Sequence, residues 1–177
     1  KVIINPNKKQ ISDFEKFSNK NWGEHAQDES DSILDFFDLH RIVFEYYIKE
    51  TLVSGLVVFI KSIVFKSRII TFAGIGGVVS HLNHRHKGYS TKVLKYMIKY
   101  LKKRKVGMAM LCTDIDRLGP LYTKVGFVPL NKNYFFENKN GDLRSETQGM
   151  VCNICSSEDF GFLLKTKEKI IVGRSNF

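Results

Sequence analysis

The sequence predicts an α/β domain of the α+β kind, with helices packed on a sheet, and three observations lead there. Runs rich in β-branched and aromatic residues alternate with stretches of helical periodicity. The stretch Val78 to Thr91 passes from a β-branched strand through a turn straight into a helix. That helix carries Val93, Leu94, Met97, Ile98 and Leu101 on one stripe, with Lys92, Lys95, Lys99, Lys102 and Lys103 largely away from it. A helix that is apolar on one side has a sheet to cover, and 177 residues fit one domain with a single substantial core.

Taken in order, Val2 to Ile4 reads as a short strand, and the spacing of Ile11, Phe14, Phe17 and Trp22 after the Asn5-Pro6-Asn7 turn predicts an amphipathic helix. An acidic stretch follows, with Glu24, Asp28, Glu29, Asp31, Asp35 and Asp38. Ile42 to Ile48 and Leu52 to Val64 are two antiparallel strands joined at Lys49-Glu50-Thr51. Arg68 to Leu82 is a long strand, and the lysine-studded helix begins near Gly88. Val106 to Thr113 reads as a buried strand, Asp116 to Val125 as a helix, and Phe127 to Leu130, Tyr134 to Glu137 and Met150 to Cys155 as strands. Asn138 to Asp142 is a polar turn, Ser156 to Asp159 a loop, and Phe162 to Val172 a final hairpin around Lys165 to Lys169.

Composition bounds the function. Apolar residues at 43% and charged residues at 26% are those of a soluble globular protein, and no apolar run is long enough to span a bilayer. No signal or transit peptide is present, although a chain that starts at Lys1 leaves a removed leader open. The net charge of +10 suits an anionic partner. No nucleic-acid-binding motif accompanies it, and the most basic segment, Lys92 to Lys105, is the outer face of a helix. Three cysteines, an odd number without export signals, point to a reducing, cytoplasmic compartment. Cys152 and Cys155 form a Cys-x-x-Cys within a strand, expected to be core or half-buried thiols; no second pair is present to complete a zinc site.

The chemistry concentrates in Arg85-His86-Lys87-Gly88-Tyr89-Ser90-Thr91. Backbone N–H groups at a helix start, with the positive end of the helix dipole, suit a pyrophosphate, and Arg85 and Lys87 add full charges. Gly88 lets the backbone approach a ligand, and Ser90 keeps the first helical turn open while offering a hydroxyl. Downstream lies Leu121-Tyr122-Thr123-Lys124-Val125-Gly126-Phe127.

Together these resemble the two signatures of the GNAT acetyltransferases: Arg/Gln-x-x-Gly-x-Gly/Ala, from which Ser90 departs, and Leu-Tyr-x-Lys-x-Gly-Phe. The element order is similar to the GNAT fold, a mixed, mostly antiparallel central sheet flanked by helices, over nearly the whole chain. The acidic region and the tail look most like the aminoglycoside 2′-N-acetyltransferase branch.

The resemblance implies an acetyl-CoA-dependent N-acetyltransferase that moves the acetyl group directly to an amine, largely by positioning. The pantetheine arm would pair with the backbone of Val78, Val79 and Ser80, and Arg85 to Thr91 would hold the pyrophosphate. Tyr122 falls on the family's general acid, which protonates the departing thiolate. The branch's glutamate base falls on Gly76, which cannot take a proton. Asp114, Glu146 or the Phe177 carboxylate could serve instead, the amine could arrive neutral, or the chemistry could differ. The expected acceptor is a small cationic amine such as an aminoglycoside, held by Asp31, Asp35 and neighbouring carboxylates, with Asp114, Glu146 and the Phe177 carboxylate as further members of the acceptor site. A protein or peptide amine, and a non-catalytic acyl-CoA-binding domain, are the alternatives. A homodimer is left open; nucleic acid and membrane are not expected partners. His81, His84 and His86 are spaced on an extended loop without convergent geometry, so no metal is expected.

Overall fold

The computed structural model describes residues 1–22, 40–65, 68–138 and 140–174. Its elements are β1 (Val2–Ile4), α1 (Lys8–Trp22), β2 (Arg41–Ile48), β3 (Thr51–Phe65), β4 (Arg68–Ser80), α2 (Tyr89–Lys103), β5 (Met108–Cys112), α3 (Ile115–Thr123), β6 (Val128–Pro129), β7 (Tyr134–Glu137), β8 (Leu143–Glu146), β9 (Gly149–Asn153), α4 (Ser157–Lys165) and β10 (Ile170–Arg174). A seven-stranded sheet runs in the order β1-β2-β3-β4-β5-β9-β6. Its neighbours are antiparallel except β4 and β5, which are parallel because α2 carries the chain back between them. The class is the expected one, a mixed and mostly antiparallel sheet flanked by helices.

Alternation along the strands sorts side chains to two faces. Ile42, Phe44, Leu56, Val58, Ala73, Ile75, Ala109 and Leu111 meet the α2 stripe of Val93, Leu94, Met97 and Leu101, together with Tyr122 from α3. On the other face Val43, Val57, Phe59 and Val79 lie under Phe14 of α1. Further along that face, Phe72, Met108 and Met110 meet Tyr134, Phe136, Ile170, Val172 and Leu163. Gly55 makes the α1 contact possible, since a Cβ there would lie 2.5 Å from Phe14 Cε2 and 2.9 Å from Phe44 O. Gly55→Ala should therefore cost about 1–3 kcal/mol by overpacking. In thermal unfolding this is expected as a fall in Tm of about 3–10 °C.

The C-terminal hairpin is corrected. Phe162 to Val172 is not a pair of strands: α4 runs to Lys165, and β10 pairs in parallel with β7, which pairs with β8 to make a separate three-stranded sheet. Ser156 starts α4 by accepting a hydrogen bond from Asp159 N–H at 3.4 Å, with Glu158 and Asp159 in the first turn. Lys132 closes its other end, donating to Leu163 O, Leu164 O and Thr166 O at 3.3, 2.8 and 2.6 Å. The reading of Cys155 as a buried or half-buried thiol is corrected as well. β9 ends at Asn153, so Cys152 is buried while Cys155 lies beyond the strand, exposed.

Candidate functional site

The parallel seam is short. β4 and β5 pair through Phe72↔Met108, Ala73↔Ala109, Gly74↔Met110 and Ile75↔Leu111, and there the pairing stops, although β4 continues to Ser80. A bulge intervenes on the β3 side of β4, with Gly77 at φ 60°, a value glycine adopts without strain. Past it, His81 N–H donates to Val53 O at 3.0 Å, toward β3. Backbone groups alternate sides along a strand, so those of Ser80 and Val78 turn away from β3, toward the margin that β5 leaves open. Unpaired strand edge inside a sheet is a template for an extended, amide-bearing ligand.

The far end of this margin is the turn. A short 3₁₀ turn, Leu82–His84, leads through Arg85–Lys87 to Gly88, whose φ of 75° starts α2 without any side-chain cap. The N–H groups of the first turn, around Tyr89, Ser90 and Thr91, therefore remain for an anion. Three hydroxyls tie the turn to the strands: Ser90 Oγ lies 2.7 Å from Ser80 Oγ and 3.4 Å from Ser54 Oγ, and Ser54 Oγ donates to Val79 O at 2.8 Å. This explains the serine where the family pattern has glycine or alanine.

Arg85 and Lys87 both make local bonds. The Arg85 guanidinium donates to Asn21 O, Asn21 Oδ1 accepts from Leu82 N–H at 2.9 Å, and Lys87 Nζ donates to Asn83 O at 3.1 Å. The buried Asn21 thus clamps α1 to the turn, a role that only its polarity at an inward helical position signalled in the sequence. His86 sits at φ 60°. His81 and His84 stack edge to face at 5.3 Å, and Tyr89 lies over Tyr46 at 5.7 Å with Lys92 Nζ 5.4 Å from its centroid. Among the described residues no cluster of histidine, cysteine or carboxylate side chains could hold a metal ion.

Tyr122 occupies the last turn of α3 and is 5% exposed, its ring 6.1 Å from that of Phe127 at 69°. Gly126, at φ 99°, allows the turn that lets Phe127 N–H return to Tyr122 O at 3.2 Å. Burial pushes the Tyr122 hydroxyl up to about 12, partly offset by a hydrogen bond to Thr113. At neutral pH it is therefore protonated and able to donate. Thr113 directly follows β5, so the hydroxyl lies on the β5 side of the opening.

The carboxylates separate by environment. Asp114 caps α3, its Oδ1 accepting from Arg117 N–H and Oδ2 from Arg117 Nε, each at 3.1 Å. The backbone bond first, then the guanidinium, hold its carboxyl below the usual range, which makes it a weak base. Glu146 ends β8, half-buried, with Oε1 accepting from Thr147 N–H at 2.6 Å and Gln148 N–H at 3.0 Å. It is the register partner of Tyr134, and paired residues project from the same face. Burial drives the Tyr134 hydroxyl far above the ordinary phenol range, and that hydroxyl meets the Cys112 thiol. Cys112 lies one step past the last β4–β5 pair, where its counterpart on β4 is Gly76. Ile75 and Leu111 face α2 and α3, so Gly76 and Cys112 face the other way, toward Tyr134. The Tyr134 hydroxyl thus comes under the influence of both Glu146 and Cys112, the counterpart of Gly76. Asp31, Asp35 and Phe177 lie outside the described residues.

The open margin, the uncapped helix start and the buried tyrosine match a known pattern. The acetyltransferase (GNAT) domain family matches residues 3–130. No curated protein matches the chain. Among solved structures, a probable N-acyltransferase from Enterococcus faecalis V583 is similar at 20% identity and TM-score 0.57, over 75% of this chain and 33% of that one. The chain thus spans about a third of the length of the first such neighbours. Tetrahymena GCN5 is similar at 12% identity and TM-score 0.58, over 87% of this chain and 96% of that one. The GNAT family N-acetyltransferase YhbS of Escherichia coli, in complex with CoA, is similar at 7% identity and TM-score 0.58, over 98% and 88%. These likenesses carry the fold, and the family match over most of the chain carries the membership: the chain belongs to the GNAT acetyltransferases, whose cosubstrate is acetyl-CoA.

Proposed function

We propose that the chain transfers the acetyl group of acetyl-CoA directly to the amine of a small cationic acceptor. The observation that carries this is the β4 margin left open between Ile75 and Ser80, leading straight to an uncapped helix N-terminus. The pantetheine arm pairs along Val78, Val79 and Ser80, and the pyrophosphate sits on the N–H groups of Gly88 to Thr91 beside Arg85, His86 and Lys87. The amine nitrogen attacks the thioester carbonyl, the C–S bond breaks, and the thiolate takes the Tyr122 proton. The proton lost by nitrogen goes to Glu146, directly or through water, in place of a glutamate at position 76.

For the acceptor, the support is a charge contrast. In a chain of net charge +10, six of the 18 acidic residues fall between Glu24 and Asp38. Carboxylates there, Asp31 and Asp35 among them, pair the ammonium groups of the acceptor, an aminoglycoside with a 2′-amine being the test case. Release of CoA thiol over a panel of such amines measures this. Asp31→Asn and Asp35→Asn are each expected to raise the KM of the amine about two- to fivefold, the range of exposed ion pairs, with little change for acetyl-CoA. Turnover confined to peptide amines would move the acceptor to proteins. Donor binding without turnover on any amine would favour a second reading, an acyl-CoA-binding domain, for which Gly76 speaks.

A further inference from the structure

We propose that Trp22 is a placeholder in the donor slot: its indole N–H holds the Val78 carbonyl until an amide N–H of the acyl donor takes it. The proposal rests on the reading of acetyl-CoA in this slot given above. Its first support is direct, since Trp22 Nε1 donates to Val78 O at 3.2 Å. That carbonyl belongs to the stretch of β4 beyond the last β5 pair, on the alternation that turns Val78 away from β3. A strand carbonyl at a half-buried margin needs a donor; β5 supplies none there, and the indole does.

A placeholder must also be free to leave, and exposure at a helix end allows it. Phe14, in the middle of α1, is 1% exposed and fixed in the core, whereas Trp22 is the last residue of the helix and 38% exposed. Once displaced, its N–H faces water and loses little, so one hydrogen bond replaces another. The site is also coupled. Asn21, the preceding residue, bonds Leu82 N–H and the Arg85 guanidinium, so the helix end that carries the indole is attached to the turn assigned to the pyrophosphate. Occupation of the slot and of the turn then act on the same helix terminus.

Trp22 is the single tryptophan of the chain, so its emission reports this site alone. Acetyl-CoA titrated into the full chain is expected to shift tryptophan emission saturably, with a midpoint equal to the Kd from calorimetry. Trp22→Phe keeps an aromatic ring without the N–H, and should bind acetyl-CoA about two- to tenfold more tightly, the factor set by the net worth of one hydrogen bond. Circular dichroism and a melting curve establish that the variant is folded; should it fail to fold, the wild-type titration decides alone. Calorimetric binding with unchanged emission, or a folded Trp22→Phe that binds equally or more weakly, overturns the placeholder while leaving the donor site in place. Absence of any acetyl-CoA binding by the wild type removes the donor-site reading and the proposal with it.

Discussion

Gly88→Asp is expected to weaken acetyl-CoA binding at least about a hundredfold in calorimetry. Gly88 has φ 75°, and beyond its chain neighbours nothing lies within 4 Å of where its Cβ would be, so the new side chain meets open space. Asp tolerates the left-handed region better than most residues, and the fold should persist. Two effects then act on the ligand. The carboxylate sits at the N-cap of α2, where it accepts the N–H groups meant for a phosphate. It also repels that phosphate, by roughly 4 kcal/mol at 4 Å and an effective dielectric of 20. Gly88→Asn caps in the same way without the charge, so the difference between the two variants isolates the repulsion. Unchanged affinity in Gly88→Asp would place the phosphate site elsewhere.

Tyr122→Phe should lower turnover about 10²-fold or more and leave acetyl-CoA affinity nearly intact, as when a positioned general acid is removed. The ring against Phe127 remains, and only the hydroxyl bonded to Thr113 is lost. Because burial raises this hydroxyl to about 12, it stays protonated across the working range. The wild-type rate profile should therefore show no falling limb from Tyr122 between about pH 7 and 10. An activity loss that parallels loss of folded protein by circular dichroism would make the residue a packing group.

Much of this was legible because the signals were local. The α2 stripe, the strands around Val43 and Val57 and the Arg85–Ser90 turn each declare themselves within a dozen residues. The failures were of two physical kinds. Phe162, Leu163 and Leu164 read as strand because apolar density cannot by itself tell period 2 from period 3.6. The deciding sign was Ser156 followed by acidic residues in the first turn, a start signal for a helix. β8, Leu143-Arg144-Ser145-Glu146, has no β-branched residue and is a strand only because β7 pairs with it. The site divides likewise. Its turn and tyrosine carry motifs, whereas the meeting of the Tyr134 hydroxyl with Cys112 and Glu146 depends on Tyr134 crossing Gly149, whose Cβ would lie 2.9 Å from the ring. No spacing in the chain encodes that meeting.

The seam between β4 and β5 has a consequence for how the sheet holds together. Among the described residues, only four register pairs join the β1–β4 meander to the β5, β9 and β6 trio. On the proposed binding mode the donor's arm adds rungs to β4 beyond Ile75, so the reagent doubles as a strand along that open edge. A donor at a hundredfold excess over its Kd stabilises the native state by about 2.7 kcal/mol. When CoA leaves, those rungs open again. On that mode the stability of the native state follows the occupancy of the β4 edge, and it is lowest in the interval between one donor and the next.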